Sequence, residues 1–150
     1  MSTAHDRGGL RAVSDRARRT GSDSAAREST DNAADAVDET ALASLLDSTG
    51  DAALVQELID VYLTDTAERV VKIRQAAARG DITTVRRVAH TLRGSSATIG
   101  ARDLAALGHR VEHTFTAESA DGTALLERLA AEFERVRESL RRRQEGRDPA

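Results

Sequence analysis

One histidine lies within the segment of the chain whose residue types best suit chemistry, Ala89 to Gly100. If residues 81–99 form a helix, their apolar side chains share one face, and His90 lies about 140° from the middle of that face. The imidazole is therefore predicted to reach solvent, where its free lone pair makes it a nucleophile near neutral pH. The inward face is predicted to hold Ile82, Val85, Val88, Ala89, Leu92, Ser96 and Ile99.

Basic and small residues share the outer side of this predicted helix with His90. They are Arg86, Arg87, Arg93, Gly94 and Ala97. The three cations disfavour a further positive charge on the ring and can stabilise negative charge that develops beside it. Arg93 is the best placed of them, because it lies one turn after the histidine. Gly94 falls near mid-helix, where glycine costs roughly 1 kcal/mol relative to alanine, and it leaves bare backbone that a partner can approach.

The same segment resembles a known family signature. Residues 89–101, AHTLRGSSATIGA, are similar to the signature of histidine-containing phosphotransfer (HPt) domains of bacterial His–Asp phosphorelays. In that family a basic residue follows the histidine by three positions, then come glycine, small residues and a later glycine. Arginine stands here in place of the commoner lysine. The resemblance covers about residues 38–143, and its matching positions are His90, Arg93, Gly94, Ser95, Ser96, Ala97 and Gly100.

The resemblance implies a phosphorelay intermediate in two-component signal transduction. His90 would accept a phosphoryl group from a receiver-domain aspartate and pass it to another receiver, and Arg93 would stabilise the charge. The implied partners are response-regulator receiver domains and a hybrid histidine kinase. The chain itself would bind no cofactor, since the receiver supplies Mg²⁺. The docking face would consist of Arg86, Arg87, Gly94 and Ala97.

No nucleotide-binding loop is visible in the sequence. Without a Walker or kinase-type glycine loop, the chain is predicted to be a phosphotransfer protein and not an autokinase. The alternative is a helical-bundle adaptor that binds a signalling partner while His90 is merely exposed. Transfer of labelled phosphate from a phosphorylated receiver domain distinguishes the two.

A second pair of histidines, His109 and His113, has the i, i+4 spacing that metal sites can use. Both are predicted to face away from the apolar side of their helix. Glu112 lies between them in sequence and is predicted to be turned away. No third ligand is evident, so no metal site is predicted.

Composition limits the remaining classes of function. Across 150 residues the net charge is −3, cysteine is absent and aromatic residues make up 2%. The acidic balance gives no reason to expect nucleic acid, and the lack of cysteine excludes disulfides and thiolate metal sites. No apolar stretch approaches the roughly 20 residues of a membrane span. We therefore predict a soluble cytoplasmic protein, and the family resemblance implies a monomer.

The elements that hold His90 in place are predicted to be helices throughout. Apolar spacing of three and four indicates a short helix over 38–48, a long one over 51–79 and the histidine helix over 81–99. Two more follow, one spanning Leu104 to Phe115 and one that ends in Arg141–Arg143. The prediction is an all-α fold: an antiparallel four-helix bundle with an additional short N-terminal helix across one end.

Both ends of the chain are predicted to lie outside the bundle. Residues 1–37 hold six arginines, six acidic residues and few large apolar side chains, so they are predicted to be disordered. They should be dispensable for folding, and a chain that begins near Val37 should melt as the full chain does. Residues 144–150 are predicted to fray.

Overall fold

Five α-helices account for most of residues 35–116 and 118–147, the part of the chain that the computed structural model describes. Each of the second to fourth helices packs against the next one along the chain. The second also packs against the fifth, so these four helices form a closed bundle. The first, shorter helix contacts the second and third. The all-α bundle with an extra N-terminal helix is therefore confirmed. In chain order the helices are α1 (Glu39–Thr49), α2 (Ala52–Ala78), α3 (Ile82–Ile99), α4 (Arg102–Thr114) and α5 (Ala120–Arg147).

Aspartates cap three of the helices at their predicted starts, residues 38, 51 and 81. The Asp38 carboxylate accepts from the Thr40 amide at 2.9 Å, and Asp51 accepts from the Ala53 amide at 3.0 Å. Asp81 does the same for α3, on which His90 lies. Each carboxylate satisfies amides that have no partner within the first turn, and its charge complements the helix dipole.

The core is aliphatic, and α3 contributes the face that the spacing predicts. Its buried residues are Val85, Val88, Ala89, Leu92, Ser96 and Ile99. Ile82 is only partly buried. Ser96 is the one polar member, and its hydroxyl is 2.9 Å from the Tyr62 hydroxyl. Burial raises the pKa of that tyrosine, so the pair is a neutral hydrogen bond that satisfies both hydroxyls. Ser96 therefore serves packing.

Helices α3 and α4 approach each other closely at Gly108. A side chain there would put its first carbon 3.1 Å from Leu92 and 3.4 Å from Arg93. The tight turn between the two helices depends on Gly100, whose φ of 89° lies in the left-handed region that glycine adopts without strain. Together these glycines bring the polar side of α4 within reach of the outer side of α3.

The folded part of the chain begins earlier than predicted. Ala36 is 6% exposed and Val37 is 2% exposed, so both belong to the core. The Asp38 amide donates to the Gly100 carbonyl at 2.8 Å, and the Val37 carbonyl accepts from Arg143. The boundary after residue 37 is thus placed too late, because two small apolar residues next to α1 fill space that periodicity cannot detect. Residues 1–34 lie outside the described residues, and their disorder stays a prediction.

The C-terminal boundary also moves. Helix α5 continues to Arg147, although residues 144–150 are predicted to fray. Gln144 donates to the Asp60 carboxylate of α2 at 3.0 Å, and Arg141 donates to the same carboxylate at 2.9 Å. Contacts between helices therefore hold the last turns, a long-range effect that the local sequence does not reveal.

A chain that begins at Asp38 is expected to be less stable than one that begins at Asp35, because it lacks Val37. A fully buried valine contributes about 1.5–3 kcal/mol, which lowers the melting temperature of a domain of this size by about 5–15 °C. Thermal unfolding followed by circular dichroism measures the difference. The chain from Asp35 is the control, and equal melting temperatures would show that Val37 contributes nothing.

None of the helices in residues 35–116 and 118–147 is both long enough and apolar enough to cross a membrane.

Candidate functional site

His90 lies in the middle of α3 on the side that faces away from the core. Its side chain is 60% exposed, which confirms the orientation predicted from helical phase. The flanking core residues Ala89 and Leu92 are fully buried, so α3 cannot rotate to withdraw the ring. The imidazole is therefore held at the surface on a rigid support.

One ring nitrogen of His90 contacts a carboxylate from α4. His90 Nδ1 lies 2.7 Å from Glu112 Oε1, a short hydrogen bond between charged or chargeable groups. Partial burial raises the pKa of Glu112, but the hydrogen bond from His90 and the nearby charges outweigh it, and the pKa ends below its ordinary value. An ionised carboxylate only accepts hydrogen bonds, so Nδ1 carries the proton. When the ring is neutral, Nε2 then holds the free lone pair.

Arg93 is one turn further along α3 and bridges the same two helices. Its Nη1 donates to His109 Nδ1 at 2.8 Å, and its Nη2 is 3.5 Å from His90 Nδ1. Since Nδ1 of His90 already donates to Glu112, the second contact places positive charge beside the ring without a hydrogen bond. Arg93 Nη1 is also 3.5 Å from Glu112 Oε2. The guanidinium is thus fixed next to the reactive ring.

The four residues predicted to form the docking face lie on α3 before and after His90. Arg86 and Arg87 are exposed on α3 one turn before His90, and Gly94 and Ala97 are exposed after it. A side chain at Gly94 would meet no atom of residues 35–116 or 118–147 within 4 Å, so these residues leave the surface beside the imidazole open. Arg87 lines a groove between α2 and α3, whose other basic residues are Arg69, Lys72 and Arg79. The surface near the ring carries small residues, and the groove beside Arg87 is strongly basic.

The prediction that Glu112 turns away from the histidines of α4 is wrong. Ligand atoms of His109, Glu112 and His113 all lie within 4.8 Å of one another. At 100° per residue, Glu112 is only about 60° from His109 and 100° from His113, so the three share one side of the helix. A third potential ligand therefore does accompany the i, i+4 pair.

Sequence reasoning missed two contacts of the site, that of Glu112 with the His90 ring and that of His109 with Arg93. Glu112 and His109 lie 22 and 16 residues beyond these partners. The sequence feature that could have predicted these contacts is Gly108 together with the polar residues that follow it. A glycine on the apolar side of α4 allows close packing, which carries the next polar turn toward α3.

Comparisons with known proteins agree with this fold and show the family. The family model for the Hpt domain matches residues 57–139. The histidine-containing phosphotransfer protein B of Pseudomonas aeruginosa PAO1 has a similar structure, with a TM-score of 0.67 and 29% identity, over 74% of this chain and 96% of that one. The HPT domain of a sensor hybrid histidine kinase from Shewanella shares the fold at a TM-score of 0.57 and 21% identity, over 69% of this chain and 91% of that one. No match was found among curated proteins.

Proposed function

Since the chain belongs to the Hpt domain family, whose members are phosphotransfer intermediates of phosphorelays, we propose that His90 is its phosphoryl acceptor. The observation that carries this proposal is the exposed imidazole whose Nδ1 is bound to Glu112 while Nε2 has no hydrogen-bond partner within residues 35–116 and 118–147. The donor is an aspartyl phosphate of a receiver domain. A second receiver domain, or the same one in reverse, takes the group onward.

The transfer step is a displacement at phosphorus. The Nε2 lone pair of His90 forms a bond to the phosphorus atom while the bond to the aspartate oxygen breaks, and that oxygen leaves as a carboxylate. The product ring carries phosphate on Nε2 and a proton on Nδ1, so it has a positive charge. The Glu112 carboxylate at 2.7 Å stabilises that charge. Because the same hydrogen bond orients the ring, little reorganisation is needed at the moment of transfer.

The docking surface follows from the residues around the ring. Open space over Gly94 admits the acidic active site of a receiver, and the basic groove beside Arg87 complements it in charge. The chain offers a nucleophile and cations, so we expect Mg²⁺ to arrive with the receiver. A hybrid histidine kinase is the expected source of phosphate, and the protein is expected to act as a cytoplasmic monomer.

Labelled phosphate tests the proposal directly. Incubation with labelled ATP and Mg²⁺ alone should leave the protein unlabelled, because the sequence carries no nucleotide-binding loop. Addition of a kinase and its receiver domain should label it. The bond should be acid-labile and alkali-stable, as a phosphoramidate is. Absence of label with every tested receiver that itself becomes phosphorylated would favour the adaptor alternative.

Arg93→Ala is expected to slow transfer by about ten- to a thousandfold, the usual cost of one charge-stabilising donor. The guanidinium is 3.5 Å from His90 Nδ1, so its loss removes the cation beside the reacting ring. Arg93→Lys should keep most of the rate, because a point charge still serves. Rapid-quench measurement at saturating receiver concentration separates the rate from docking.

The matched control for this variant is Arg137→Ala on α5, which removes the same charge from the exposed pair with Glu134. It should transfer at the wild-type rate. If Arg93→Ala also did so, the electrostatic role of Arg93 would be refuted.

A further inference from the structure

The outer side of α4 carries a cluster of ligating groups that the phosphotransfer step does not use in full. Ligand atoms of His109, Glu112 and His113 lie within 4.8 Å of one another, and the two imidazole rings are 4.3 Å apart between centroids. The His113 side chain is 55% exposed, and its Nε2 is 3.8 Å from Glu112 Oε2. His109 is exposed as well, so a small solute can reach both imidazole rings.

One atom of the cluster lacks a proper partner. Glu112 has one oxygen bound to His90, but its Oε2 is shut off from water and accepts no hydrogen bond from residues 35–116 or 118–147. Arg93 Nη1 and His113 Nε2 are 3.5 and 3.8 Å away from it, too far for good hydrogen bonds. A buried carboxylate oxygen without a donor costs free energy that a cation can recover.

The donor set selects the class of cation. Two imidazoles and one carboxylate suit a borderline transition metal such as Zn²⁺ far better than Mg²⁺ or Ca²⁺, which prefer oxygen alone. Zinc takes nitrogen at about 2.0–2.1 Å and oxygen at about 2.0–2.2 Å, so its ligand atoms stand at most about 4 Å apart. Small side-chain rotations bring the present 4.8 Å within that limit. Water would fill the fourth position.

We propose that His109, Glu112 and His113 form a binding site for a divalent transition-metal ion of the zinc class, adjacent to His90. Binding requires one ring nitrogen of His109 and of His113, together with Glu112 Oε2. Arg93 currently donates to His109 Nδ1 at 2.8 Å. A neutral His109 that binds the ion through either nitrogen has the ion or the ring proton on Nδ1, so this hydrogen bond is lost when the ion enters. Metal binding and the present arrangement of Arg93 are therefore in competition.

Occupancy of this site is expected to slow phosphotransfer, and this part of the proposal rests on the proposed function. The ion would draw charge from the carboxylate that stabilises the His90 ring and would displace the guanidinium that lies beside that ring. Both groups act on the reacting centre, so the two sites are coupled. A typical coupling between sites changes a rate or affinity by about 5–150-fold.

Calorimetric titration of the unphosphorylated full chain with ZnCl₂ tests binding without any transfer assay. We expect one ion per chain, with affinity reduced more than about tenfold in His113→Asn, since even outer-shell partners of metals are worth 10–100-fold. His90→Gln should bind as the wild type does, because His90 is not a ligand. Arg93→Ala should bind more tightly, because His109 is released. His5→Asn is included in all titrations to remove the remaining histidine.

The coupling is tested with the transfer assay at saturating Zn²⁺. Wild-type transfer should slow by about fivefold or more, whereas His113→Asn should transfer normally with and without zinc. That variant also controls for any effect of zinc on the receiver. Equal affinity in the wild type and His113→Asn would overturn the metal site, whatever the transfer rate. Binding with no difference in inhibition between them would overturn the coupling. Failure of all transfer, with zinc binding intact, would refute the proposed function and leave the metal site standing.

Discussion

His90→Gln is expected to abolish phosphoryl acceptance while leaving the bundle folded. Glutamine has a similar size and a good helix propensity, and its side-chain amide can donate to Glu112 in place of Nδ1. The carboxylate is therefore not left without a donor, and the melting temperature should stay within a few degrees. The amide nitrogen has no free lone pair, however, so the attack on phosphorus cannot occur. Incorporation of labelled phosphate should fall to background.

The other histidines of the described chain supply the controls for this experiment. His109→Gln and His113→Gln retain Nε2 of His90 and should both be labelled, His113→Gln at the wild-type rate. His109→Gln removes only the anchor of Arg93, so it should slow transfer less than Arg93→Ala does. Label that persists in His90→Gln, or that moves to either histidine of α4, would overturn the assignment of the acceptor.

Gly94→Leu is expected to block docking without loss of stability. The position is helical and exposed, and a side chain would meet no atom within 4 Å, so leucine fits the folded protein. Replacing glycine within a helix should add about 0.5–1 kcal/mol of stability. The same side chain would stand one turn beyond His90, where the receiver must approach. We expect transfer to fall by at least about thirtyfold, the effect of losing one central interface contact.

Gly146→Leu is the matched control for that substitution. Gly146 is also helical and also has open space at its missing side chain, but it lies near the end of α5. It should gain a similar increment of stability and transfer normally. Titration of receiver concentration separates impaired docking from impaired chemistry in Gly94→Leu. Wild-type affinity for the receiver in this variant would show that the glycine has no part in docking.

Apolar spacing predicts the helices and the orientation of His90 well, because burial of one face dominates the energetics of an amphipathic helix. The predicted starts of three helices coincide with aspartate caps, whose hydrogen bonds reach only neighbours within a few residues. Periodicity does not determine how one helix is rotated against the next. The bond between His90 and Glu112 depends on that rotation, and so could not be predicted.

The two misplaced boundaries have the same cause. Val37 and Gln144 are held by partners that are distant in sequence, in the core and on α2 respectively. The low apolar content before α1 and the arginine run near the end of α5 give no indication of those contacts. In both places the tertiary structure extends beyond the segment with regular spacing.

The hairpin formed by α3 and α4 has a consequence for how the site fluctuates. His90, Arg93, His109 and Glu112 all come from this one pair of helices, joined by Gly100 and Ala101. Fraying of α1 or of the last turns of α5 therefore leaves every distance within the site unchanged. An opening that parts α3 from α4 removes the carboxylate and releases the guanidinium from its anchor in one event. The amide-exchange protection of Leu92 and Leu104, both buried between these helices, reports how often the acceptor loses its partners.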